Sequence, residues 1–136
     1  MPLSNDKDKT WTGWLVDGMG GREKEVHEAI AEGLKARNMP KTEIRAGGGL
    51  NMWWRKDTLF IDVTSDMDGK FVATIHVQEY GASLFVGRAA ESYKLTNYYK
   101  RMAATAFLES VDRTIRAAID SFSPSATILL TDAGQS

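Results

Sequence analysis

The runs TLFIDVT (58–64), KFVATIHV (70–77) and SLFVGRA (83–89) decide the fold. Apolar and polar residues alternate in each with period two, the pattern of a strand that turns one side to a core and the other away. Leu59, Ile61 and Val63 share one side, Phe71, Ala73, Ile75 and Val77 the matching side of the next run, and Leu84 and Val86 follow. Asp68-Gly69 separates the first two runs. That dipeptide between alternating segments is a strong hairpin signal, because a tight turn matching the strand twist needs positive φ. Gly81, with Ala82 and Ser83, marks a second turn, so the middle of the chain reads as an antiparallel meander.

A helix is predicted on either side of this meander. Val26, Ile30 and Leu34, with Ala29 and Gly33, fall at three-to-four spacing along one stripe. Glu23 and Glu25 sit where the helix dipole favours anions, and Arg37-Asn38 followed by Pro40 stops the helix. The second helix runs from Thr96, an N-cap residue, to Phe122, before Ser123-Pro124. Ala104, Leu108, Val111, Ile115, Ala118 and Phe122 form its stripe, and Glu109/Arg113 and Asp112/Arg116 read as exposed i,i+4 ion pairs. At 1.5 Å per residue such a helix reaches roughly 40 Å, enough to cross a domain of this size.

The fold class that follows is α+β, a two-layer sandwich of form α-β(3-4)-α, with an antiparallel meander sheet and both helices packed on one face. Residues 42–46 read as an edge strand with Ile44 inward, Gly47-Gly48-Gly49 as a break, and 50–56 as a further strand or the start of the next, interrupted near Lys56-Asp57. Thr10–Asp17 reads as a short strand or extended arm. Trp11 and Trp14, three apart, fall on opposite faces, with a bulge expected at Gly13 and one indole in the core. Residues 1–10 are polar and without periodicity and read as disordered, 11–123 as a single domain, and 124–136 as a tail.

The chain has 136 residues, ordinary apolar and charged fractions, and a formal net charge of -1. No overall field draws it to nucleic acid or an anionic membrane, and any such binding needs a local patch. The absence of cysteine removes disulfides and thiolate chemistry and suits the reducing cytoplasm, as in many small bacterial domains. The first ten residues hold no apolar signal segment, and no run approaches the roughly 20 apolar residues of a membrane span.

No stretch carries a specific catalytic, metal or cofactor signature. Gly18-Met-Gly-Gly before a helix resembles a phosphate cradle in geometry alone, and a plain strand-to-helix connection is the favoured reading. Asp66-Met-Asp-Gly opens like a calcium loop but lacks the ligands at positions five and twelve. His76 projects from the non-core face, near Asp62 or Thr74, where a histidine beside a carboxylate begins an acid–base site. His27 lies on the polar side of the first helix and reads as solvated.

Two surfaces hold more apolar area than solvent requires. The sheet face opposite the core set carries Phe60, Asp62 and Thr64, then Val72, Thr74, His76 and Gln78, then Phe85 and Gly87. On the long helix, Leu95, Tyr98, Tyr99, Met102 and Phe107 lie partly off the core stripe. The leading expectation is therefore a non-enzymatic interaction or oligomerisation module without a cofactor, working by self-association as a homodimer or with another protein. The alternative uses segment 45–56, where Trp53, Trp54 and Arg55 interleave aromatic and basic groups suited to a small ligand or single-stranded nucleic acid. An even charge balance speaks against nucleic acid.

Overall fold

A computed structural model describes residues 7–48, 59–66, 71–93, 98–131 and 134–135. Its elements in chain order are β1 (Lys7–Asp17), α1 (Glu23–Ala36), β2 (Thr42–Gly48), β3 (Leu59–Ser65), β4 (Phe71–Tyr80), β5 (Ser83–Tyr93), α2 (Tyr98–Ser121), β6 (Ala126–Thr131) and the two-residue β7 (Gly134–Gln135). The strands form one sheet in the order β2-β3-β4-β5-β1-β6-β7, and every pairing is antiparallel. The protein is thus an α+β two-layer sandwich, with a wider sheet than the meander alone supplies.

The alternation of the sequence fixes which side is covered. Ile61, Val63, Ala73, Ile75, Val77, Leu84 and Val86 are fully buried and form one cluster with Val26, Ile30 and Leu34 of α1 and Val111, Ile115 and Ile119 of α2. Both helices therefore roof the same face of the sheet. On α2 the buried stripe is Phe107, Val111, Thr114, Ile115, Ala118 and Ile119, rotated slightly from the expected one, which had left Phe107 off the line. Phe107 is held inward by Phe71, whose ring centroid is 6.0 Å away.

The β1 strand is the largest departure from the sequence reading. It begins at Lys7, so residues 7–10, read as part of a polar leader, already belong to the sheet. It lies between β5 and β6, with Gly13 opposite Gly87 and Trp14 opposite Val86 in one unbroken register and no bulge at Gly13. Trp14 is buried on the core side and Trp11 is exposed on the other. Residues 126–131, read as tail, form β6 alongside β1, and Leu129 packs against the core.

The hairpins differ in how their turns set register. Tyr80 faces Ser83 across Gly81-Ala82, and Gly81 has φ of 62°, the positive value a type II′ turn needs at its first central residue. A regular two-residue turn at Asp68-Gly69 would set Ser65 opposite Val72, whereas the ladder has Ser65 opposite Phe71. Face sharing forces this offset: the buried residues of β3 and of β4 are all odd-numbered, and cross-strand partners point to the same side. Residues 67–70, with Asp68-Gly69, lie outside the described residues.

Candidate functional site: the open face of the sheet

The face away from the helices is read directly from the ladder. One cross-strand row holds Gly47, Phe60, His76, Gly87, Gly13 and Leu130, and the neighbouring row holds Gln78, Phe85, Leu15 and Ile128. On the other side of the first row stand Arg45, Asp62, Thr74, Ala89 and Trp11. Phe60, Val72, Phe85, Leu15 and Leu130 are half-buried with no covering layer among the described residues, and Trp11 and Ile128 are 42% and 37% exposed.

Two aromatic rings lie over glycines of their own or an adjoining strand. A Cβ built on Gly87 would come within 2.7 Å of the Phe85 ring, and one built on Gly47 within 3.1 Å of the Phe60 ring. Phe85 also covers Gly13, and Tyr80 meets Phe85 edge-on at 6.4 Å between centroids. Glycine is used here for close approach: a ring lying on bare backbone shields it and keeps the surface flat.

Toward β2 the same face becomes polar. Glu43, Arg45, Asp62, Thr64 and Val72 line a shallow depression of about 390 Å³. Arg45 pairs with Glu43 at 3.3 Å and stands opposite Asp62, so its charge is balanced locally. The two signs offset each other within this depression.

Of the residues singled out from sequence, Phe60, Asp62, Val72, His76 and Phe85 share this face, while Trp53, Trp54 and Arg55 lie outside the described residues. The acid–base pairing expected of His76 and Asp62 is not a facing one: His76 is opposite Phe60 and Asp62 opposite Thr74, which makes them diagonal neighbours. His27 is not solvated as its helix position suggested. Its Nε2 lies 2.9 Å from the Phe60 carbonyl oxygen, and since a carbonyl only accepts, Nε2 carries the proton and ties α1 to β3.

The glycine run is committed as well. The backbone N–H groups of Gly18 and Gly20 both donate to the Ala82 carbonyl, at 3.1 Å each, so two of the N–H groups of the loop that resembled a phosphate cradle hold the β4–β5 turn instead. No group of three or more metal-ligating side chains occurs among the described residues, and none of their helices is long and apolar enough to cross a membrane.

Comparison with family models, curated proteins and solved structures finds no match.

Sequence reasoning missed the contribution of β1 and β6 to this face. Trp11, Leu15, Ile128 and Leu130 extend the apolar half of the sheet well beyond the meander. A signal was the alternation in TWTGWLVD, which the polar start of the chain and Gly13 obscured.

Proposed function

We propose that this protein is an interaction module that self-associates through the open face of its sheet. The observation that carries the reading is one-sided roofing: both helices cover one face, while the other presents Trp11, Leu15, Phe60, Phe85 and Ile128 with no layer above them among the described residues. Six strands at their usual spacing make a face of roughly 700 Å². A specific interface of standard size removes about 800 Å² from each partner, so one such face is close to half of a stable dimer.

A second copy is the occupant that fits this surface best. Twisted antiparallel sheets pack well face to face, about 10 Å apart, and each copy brings such a sheet. Glu43, Arg45 and Asp62 mix signs at one edge, so two copies meet without a block of like charge.

Light scattering at high micromolar concentration tests this. The expected mass is about twice the 15.1 kDa chain, falling to the single-chain value in Trp11→Lys and Ile128→Lys with circular dichroism unchanged. A single-chain mass for the unaltered protein overturns the reading. A second contact surface is favoured by Tyr98, Tyr99 and Met102, which are 65%, 74% and 54% exposed at the start of α2. Dissociation by Met102→Lys, with Trp11→Lys still dimeric, would move the interface to that helix.

A further inference from the structure

At the far end of the core from the β4–β5 turn, the packing changes character. The cross-strand row that closes the sheet there is Thr42, Ser65 and Phe71, two hydroxyl side chains where the rows above it carry valine, isoleucine and alanine. Above this row α2 supplies Ala103, Ala106, Phe107 and Ser110, and Met39-Pro40 closes the side from the α1–β2 connection. Small residues on both layers leave a groove of about 210 Å³ between them.

We infer that this groove binds a small neutral molecule, an aromatic ring or short aliphatic chain carrying one hydroxyl or carbonyl group. The volume sets the size: it equals about seven water volumes, room for a ring with one short substituent and too little for a nucleotide or cofactor. The walls set the polarity. Phe71, Phe107, Met39 and Ala103 are apolar, and no charged side chain among the described residues lines the groove, so an ion would lose hydration without gaining a partner there.

Ser65 points to the polar group of the ligand. It is 4% exposed, lines the groove, and its hydroxyl has no hydrogen-bond partner among the described residues. The hydroxyl opens into the groove, where a ligand oxygen would meet it as a hydrogen-bond partner. The open sheet face plays no part in this site, which stands whether or not the chain dimerises.

Phenol and toluene, alike in size and differing in the hydroxyl, are the probes. Phenol at millimolar concentration should raise the unfolding temperature and shift the amide resonances of Ser65, Phe71 and Ser110. Ser65→Ala should weaken phenol about five- to tenfold and leave toluene unchanged. Ala103→Leu fills the groove from a helical position that accepts leucine and should abolish binding of both, with Ala106→Leu as a second blocking variant should the first misfold. Absence of any phenol-induced shift, or phenol binding that persists in a folded blocking variant, overturns the inference. Equal loss of phenol and toluene in Ser65→Ala overturns the role given to the hydroxyl.

Discussion

The ring of Phe85 lies over Gly13, with Cε1 2.8 Å from where a Cβ on that glycine would stand. Phe85→Ala should cost about 2 kcal/mol, below the usual range for a core phenylalanine because the ring is half-buried. Gly13→Ala alone should also destabilise, since the new methyl meets the ring. Together the two changes should cost about 1 kcal/mol less than their sum, because alanine at 13 then occupies space the ring has left. Urea unfolding of the four proteins measures this coupling, and strict additivity would show that the ring does not rest on the glycine.

Arg88 is the buried charged group among the described residues, and it lies on the core face. Its Nε and Nη2 donate to the two carboxylate oxygens of Asp112 at 2.7 and 2.6 Å, pinning β5 to α2, and Nη1 and Nη2 also donate, at 3.4 Å each, to the hydroxyls of Thr10 and Thr12 of β1. The sequence pairing of Asp112 with Arg116 is thereby replaced: Arg116 pairs with Asp120 instead, at 3.1 Å. Asp112→Ala should cost about 3 kcal/mol, because it strands a buried guanidinium. Arg88→Met with Asp112→Leu should recover most of that loss in thermal unfolding, since breaking such a pair costs more than replacing it.

Gly20 and Gly21 separate close approach from backbone conformation. A Cβ on Gly20 would fall 2.1 Å from the Gly81 carbonyl oxygen, whereas Gly21 has open space around it and φ of 84°. Gly20→Ala should cost roughly 3 kcal/mol, since the loop and the β4–β5 turn must part. Gly21→Ala should cost about 1 kcal/mol, the strain of a left-handed residue. Equal losses in a denaturant titration would refute the packing of that loop on the turn.

Removing 126–136 tests β6. The truncated chain exposes one edge of β1 along Thr12–Asp17 and loses the core contact of Leu129. A loss of about 3 kcal/mol would lower the unfolding temperature by roughly 10 °C, and the freed edge should promote aggregation seen by light scattering. An unchanged melting temperature would mean β6 contributes nothing to the sheet.

The parts legible from sequence are those that period alone encodes. Alternation in 58–64, 70–77 and 83–89 identifies β3, β4 and β5 and the side each turns to the core, and three-to-four spacing identifies α1 and α2. Given one core, both helices must lie on the side of Ile61 and Ile75, and the face bearing Phe60, Val72 and Phe85 follows by elimination.

Which strands lie beside which is another matter. Nothing local in Lys7–Asp17 says that it pairs with β5, far along the chain, or that Ala126–Thr131 returns to its other edge. Arg88 reads as an outlier in an apolar strand until Asp112 arrives above it, and His27 as solvated until the Phe60 carbonyl meets it. Side-chain period is a property of a few neighbouring residues and survives in any context; strand partners, ion-pair partners and the groove beside Ser65 depend on distant segments meeting, and only packing of the whole chain selects them.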